Sequence, residues 1–360
     1  MKSLTYFIIY FFFVQISKVN LLFSKKKKIK KINYFHIRKD TNNNYLDHRS
    51  TYYIKKNNLE KSINFIRCDN ILVSFLMIFK IPNVVFFNYI YHFLISFKNN
   101  TIVDNEKNLV NFFYKYLKDS KIEEFHTIDD YRTIRELMAI SKKLNLKTFA
   151  YMHGRFIKHR LAKYVNKKTT FDNYFVWSRF FKKQLLELNP LYKKKKIFFF
   201  KNPNLINFNH KKKLNRDQVN ILYIHENIVP DNVILDILKK ILKDRNVNLF
   251  YKFRANEKIS NKIINFCKMN SIQFFHKEKI FDIFSDKKIS AIIASNSTTL
   301  LECSFYEIFP IMFRYYLNPS EYIKNKVVFI LPVNNDISKN IKIILQKKKE
   351  LLKIKKKLWN

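Results

Sequence analysis

A chain of 360 residues with a single glycine has few ways to turn its backbone tightly or to bring a ligand against its main chain. That glycine, Gly154, stands in Tyr151-Met152-His153-Gly154-Arg155, directly after an apolar stretch that reads as a strand. The glycine-rich phosphate loops of dinucleotide-binding and P-loop proteins need several glycines in a short window, and neither can be built here. Lysine, asparagine, isoleucine, phenylalanine and tyrosine are abundant, as a strongly AT-biased gene would encode. The same bias bears on the charge: 69 Lys+Arg against 28 Asp+Glu give +41, yet only 12 of the basic residues are arginine. A duplex reader would use arginine forks on bases and phosphates, so this scattered lysine excess argues against a specific nucleic-acid partner. It leaves an unspecific attraction to anionic membranes and polyanions.

The length exceeds that of a single growing core, and 47% hydrophobic residues are ample for two domains. Cys68, Cys267 and Cys303 show neither zinc spacing nor a disulfide framework; each reads as a small buried apolar residue in a reducing, cytoplasmic setting. Residues 1–28 form an apolar-basic segment in which Leu4 to Val14 is a run of eleven, apolar apart from Thr5, ahead of the cluster Lys25 to Lys28. A run that short cannot span a bilayer as a helix, which takes about 20 residues. With only Lys2 in front and no small-residue cleavage site, it is a poor secretion signal. Two readings stand: an interfacial helix at the inner face of the cell membrane, which makes the protein peripheral there, or a buried first helix of the amino-terminal domain.

From residue 29 onward, short β-rich runs alternate with helical ones. Strands are expected over Ile32–Ile37, Val84–Asn88, Ile122–His126, Lys147–Met152, Tyr174–Trp177 and Ile197–Phe200, with helices over Glu106–Leu117 and Asp129–Leu144. In the second helix Ile134, Leu137, Met138 and Ser141 face one way, and Asp129 is its expected cap. Residues 201–218 read as a polar, proline-bearing linker. The alternation then repeats, with strands over Val219–His225, Val247–Phe253, Ile272–Phe275, Ile289–Ala294, Phe309–Phe313 and Val327–Leu331. Helices are expected over Asp231–Lys243, Ile259–Met269, Ile280–Phe284 and Thr298–Tyr306, and Ile337–Leu358 reads as one long basic helix. This predicts an α/β fold of two domains, 29–205 and 206–335, facing each other across a cleft, followed by the helix 336–360.

The strongest constellation is Ser295, Asn296, Ser297, Thr298 and Thr299, followed by Leu300, Leu301 and Glu302, immediately after an apolar strand. A strand that ends in hydroxyl and amide side chains and then opens a helix presents backbone N–H groups to a phosphate or pyrophosphate. Glu302, four residues after Thr298, would accept hydrogen bonds from a sugar or ribose diol. The alternative is an ordinary Ser/Thr cap with a carboxylate near the positive helix end.

This strand, Ser297-Thr298-Thr299-Leu300-Leu301-Glu302 and then Phe309-Pro310-Ile311 resemble the donor-binding segment of GT-B-fold glycosyltransferases, especially bacterial enzymes of capsule and lipopolysaccharide synthesis and the related CDP-glycerol glycerophosphotransferases. Glu307 stands where that pattern carries a glycine, and Arg254-Ala255 ends the strand Tyr251-Lys252-Phe253 where the pattern often has histidine-proline. Asp129-Asp130-Tyr131-Arg132, the strand ending in His153-Gly154, Phe175-Val176-Trp177-Ser178 and Asn202-Pro203 complete the family's order, so the resemblance spans about residues 120–315. It implies two Rossmann-like domains, with Lys252 or Arg254 neutralising donor phosphate unless they form a merely solvated basic strand end. His153, beside Gly154 at a strand end, would take the acceptor hydroxyl proton or donate to developing charge. Arg155 would hold a phosphate or pair with a surface acid. His225 and Glu226 are further site candidates at the end of the second domain's first strand.

No Asp-x-Asp pair is present, so no metal site is expected and basic side chains and helix N-termini would stabilise the leaving nucleotide. The resulting expectation is a metal-independent glycosyltransferase without a cofactor. It moves a sugar or polyol phosphate from a nucleotide-activated donor to a surface polysaccharide or lipid-linked acceptor. Rival readings are a nucleotide-sugar epimerase of the same fold, a non-catalytic relative, and a basic nucleic-acid-binding protein using stacked aromatics.

Overall fold

A computed structural model describes residues 29–37, 61–68, 83–87, 105–118, 120–128, 132–152, 170–202, 205, 219–253, 259–276, 278–315, 320–332 and 336–360. The apolar-basic segment 1–28, the Asp129 cap, most of the linker, and His153, Gly154, Arg155 and Arg254 lie outside the described residues. The chain divides into two compact units: Met1–Trp177 with Phe181–Phe200, and Ser178–Phe180 with Lys201–Asn360.

The first unit holds strands β1 (Lys31–Ile37), β2 (Ser62–Cys68), β3 (Val84–Phe87), β4 (Glu124–Ile128), β5 (Lys147–Tyr151), β6 (Asn173–Val176) and β7 (Lys196–Phe199). They form one seven-stranded sheet in the order β3-β2-β1-β4-β5-β6-β7, with every pairing parallel. Helices α1 (Asn105–Lys118), α2 (Arg132–Lys143) and α3 (Arg179–Leu188) supply crossovers. Phe113 of α1 packs edge-on against Phe65 and Phe125, whose rings lie 5.2 and 5.4 Å away. On α2, Ile134, Leu137, Met138 and Ser141 are all buried, the face that helical spacing marks out, and the Ser141 hydroxyl donates to the Leu137 carbonyl at 2.8 Å. Strand β2 was not expected from the sequence, and β4 begins two residues later than expected.

The second unit holds β8 (Val219–Ile224), β9 (Val247–Lys252), β10 (Gln273–Phe275), β11 (Ala291–Ala294), β12 (Phe309–Phe313) and β13 (Phe329–Leu331), in the order β10-β9-β8-β11-β12-β13, again wholly parallel. The helices are α4 (Asp231–Leu242), α5 (Asn261–Met269), α6 (Ile280–Asp286), α7 (Thr299–Glu302), α8 (Ser320–Lys324), α9 (Ile337–Leu345) and α10 (Lys348–Trp359). Ser260 caps α5 by accepting from the Ile263 N–H at 3.3 Å. Two expectations are corrected here. Thr298–Tyr306 is a four-residue α-turn running into the 3-10 turn Cys303–Tyr306. The carboxyl-terminal stretch is two helices, because Lys348 stands where a continuous helix would next bury a side chain after Ile337, Ile341 and Ile344. α10 instead buries Leu351, Ile354 and Leu358, and Trp359 Nε1 donates to the Ser304 hydroxyl at 3.0 Å.

With glycine so scarce, other residues occupy the left-handed backbone region: Asn83, Asn145, Ser271, Lys288, Glu307 and Lys326 have φ of 50°, 61°, 53°, 46°, 60° and 49°. Five of them follow helices, where a glycine would otherwise end the turn. In each sheet the strand order reverses beside the first strand, between β1 and β4 and between β8 and β11. Ligands of open α/β sheets bind outside the carboxyl ends of the strands at that switch point.

Candidate functional site

The switch point of the second unit is built from the chain just beyond β8 and β11. Their register places Tyr223 opposite Ile293, so His225 and Glu226 emerge beside Ser295 and Asn296. The Glu226 carboxylate accepts from the Ser295 N–H at 2.6 Å and from the Asn296 N–H, which lies 2.9 Å from each oxygen. The expectation that the N–H groups of Ser295 and Asn296 stand open is therefore corrected: an acid of the same chain fills both. Beyond them, Ser297 Oγ accepts from the Thr299 N–H at 3.2 Å, and the Thr298 carbonyl accepts from Leu301 and Glu302 as α7 begins. Among the described residues, no group accepts from the N–H of Ser297 or Thr298.

Glu302 is buried at the end of α7, and the Asn202 side-chain amide donates to its Oε1 at 3.3 Å. Burial, reinforced by the negative charge of Glu302, pushes the Tyr306 hydroxyl and the Cys303 thiol above their ordinary pKa values. Asn202 was legible as part of the Asn202-Pro203 crossover, but its partnership with a carboxylate 100 residues away was not.

His225 turns inward. Its Nδ1 lies 2.6 Å from the Tyr251 hydroxyl oxygen and its Nε2 donates to Asn227 Oδ1 at 3.0 Å, so both ring nitrogens are engaged. The ring is buried and bridges β8 to β9, which is a structural employment. Lys252, at the end of β9, donates from Nζ to the carbonyls of Phe253 at 2.7 Å and His276 at 3.0 Å.

In the first unit, β5 delivers the chain to the carboxyl edge of the sheet, where the Met152 N–H donates to the Phe175 carbonyl at 2.8 Å. His153 is the next residue. Sequence reading passed over a second histidine, His126 on β4. It is buried, lies flat on Phe149 with ring centres 4.2 Å apart, and meets Glu124 Oε2 at 3.0 Å through Nε2. Burial holds its pKa down to about 4. No group of three or more His, Cys, Asp or Glu among the described residues could hold a metal ion. Likewise, no helix among them is long and apolar enough to cross a membrane.

No protein-family profile matches the chain, and no curated protein sequence does. Solved structures do. A UDP-GlcNAc 2-epimerase from Neisseria meningitidis bound to UDP-GlcNAc shares 13% identity over 91% of this chain and 94% of its own, with a TM-score of 0.60. The S. aureus MnaA–UDP complex shares 14% over 92% of each chain, with a TM-score of 0.58. MurG from Acinetobacter baumannii shares 9% over 91% of this chain and 94% of its own, with a TM-score of 0.53. Identity this low speaks to architecture alone, and together with the two parallel sheets it gives the chain a GT-B-type fold of two Rossmann-like α/β domains.

Proposed function

We propose that the second unit binds a nucleotide-activated sugar and that the protein transfers the sugar, or a polyol phosphate, to a surface polysaccharide or lipid-linked acceptor. The observation that carries this reading is the switch point itself. It gathers Glu226, the turn Ser295–Thr298 and, at the end of the short helix that follows, the buried carboxylate Glu302. In this reading the N–H groups of Ser297 and Thr298 face the donor phosphates, and Glu302 exchanges its bond from Asn202 for bonds from the ribose diol. Lys252, released from its carbonyl partners, and Arg254 offset the charge of the leaving nucleotide. His153 accepts the acceptor proton, and Arg155 holds an anionic group of donor or acceptor. Each donor interaction strengthens as negative charge grows on the leaving phosphate, the condition for accelerating transfer without a metal. The segment 1–28 would keep the enzyme at the inner membrane face, where lipid-linked acceptors reside.

A thermal-shift series with UDP, GDP, CDP and CMP tests the reading. One nucleotide is expected to raise the melting temperature selectively, and Glu302→Gln to abolish most of that rise. A series in which no nucleotide shifts the melt would sink it. The likeness to UDP-GlcNAc 2-epimerases favours a second reading, epimerisation of a nucleotide sugar. Incubation with UDP-GlcNAc and no acceptor separates the two, because only an epimerase converts it to the C2 epimer.

A further inference from the structure

The proposed nucleotide site contains a charge opposed to its own ligand. Two consecutive backbone N–H groups at a strand end suit a phosphate oxygen, yet those of Ser295 and Asn296 are taken by Glu226 at 2.6 and 2.9 Å. The carboxylate comes from the neighbouring strand end and is tethered, so it competes at an effective concentration that a free anion cannot match. An anion approaching this pair meets both filled donors and a like charge at short range. At the neighbouring strand end the Lys252 ammonium donates to the Phe253 and His276 carbonyls.

We propose that Glu226 is a specificity-determining residue that keeps this donor pair closed to phosphate. The strand-end pair then rejects inorganic phosphate and pyrophosphate and admits an anion only as part of a ligand held by additional contacts. The inference rests on the reading of the second unit as a nucleotide site and deepens it: a nucleotide-linked diphosphate gains its hold from base, ribose and the N–H groups of Ser297 and Thr298. Rejecting inorganic phosphate would keep an abundant competitor out of the site.

Calorimetric titration of the full chain with pyrophosphate, and separately with UDP, tests this. Glu226→Gln keeps the shape and removes the charge, and is expected to bind pyrophosphate about tenfold or more tightly than the natural chain. Glu226→Ala, which empties the donor pair, is expected to gain at least as much and serves equally should the Gln variant not fold. Glu226→Asp, still anionic, is expected to gain nothing. The amide nitrogen signals of Ser295 and Asn296 should move on pyrophosphate addition to the Gln or Ala variant and stay fixed in the natural chain. Unchanged or weaker pyrophosphate binding in both neutral variants, or no binding by any of the proteins, overturns the proposal. Failure of UDP to bind the natural chain instead counts against the nucleotide reading, and a gain of pyrophosphate binding by the variants would still stand.

Discussion

Glu226 and Ser295 stand 69 residues apart, and the carboxylate of the first lies 2.6 Å from the amide nitrogen of the second. They meet because β8 and β11 are hydrogen-bonded neighbours, although β9 and β10 lie between them in the chain. The contact fixes the first two residues of the turn that leads into α7, so the next two N–H groups emerge in a defined place. A negative charge thus organises the part of the molecule expected to receive a negative ligand, and this tension distinguishes the site from a simple phosphate cradle.

Acid should weaken the first unit through His126. Its folded pKa of about 4 lies below the ordinary 6.5, with burial as the main cause and Lys31 adding to it against the pull of Glu124. Below about pH 6.5 the unfolded chain takes up a proton that the folded chain refuses, so stability present at pH 7 is lost as pH falls from 6.5 towards 4. The ceiling is about 3 kcal/mol. Melting curves at pH 7 and pH 5 should show a smaller drop for His126→Phe, which keeps the stack on Phe149, than for the natural chain. Equal drops would count against it.

Glu307 should be replaceable by glycine without loss. It closes the 3-10 turn with φ 60° and ψ 26°, and Lys355 meets its carboxylate at 3.0 Å. An exposed pair contributes about 0–1 kcal/mol, similar to what a glycine regains in this backbone region. Denaturant midpoints for Glu307→Gly are expected to match or exceed the natural value, while Glu307→Val, with a branched Cβ, should lose roughly 1–2 kcal/mol. A valine variant as stable as the glycine one would mean that the turn is not left-handed.

Two of the three thiols should be inert while the chain is folded. Burial pushes Cys267 to about 11 and Cys303 well above its ordinary value, and both side chains are buried. A colorimetric thiol reagent at pH 8 should titrate no more than one cysteine in the native protein and all three in urea. Rapid reaction of two or more natively would contradict this packing.

The helical face of α2 and the apolar strand β11 could be read from the chain because their patterns carry one meaning. Strand β2 could not. Its polar residues Ser62 and Asn64 are buried, and Asn33 donates to Asn64 at 3.0 Å across the β1–β2 pair, an amide ladder that in sequence looks like exposed surface. The hydroxyl turn and Glu302 stood out by composition and spacing. The Glu226 clamp did not, because it exists only once β8 and β11 are known to be neighbours. Glu307 shows the reverse: a charged residue, where the resembled sequence pattern carries a glycine, still adopts the backbone conformation a glycine would favour.

Two wholly parallel sheets also determine how the chain must assemble. Lys31 of the central strand β1 finds its partner on one side in Ser62 and on the other only in Glu124. Ile221 of β8 likewise waits for Ala291. With no hairpin among the described strands to nucleate either sheet, loop closure over long stretches precedes the pairing that rewards it, which makes for slow folding and for intermediates with bare apolar strand edges. In a chain so rich in lysine, mutual repulsion among those intermediates offers protection against their clumping during that delay.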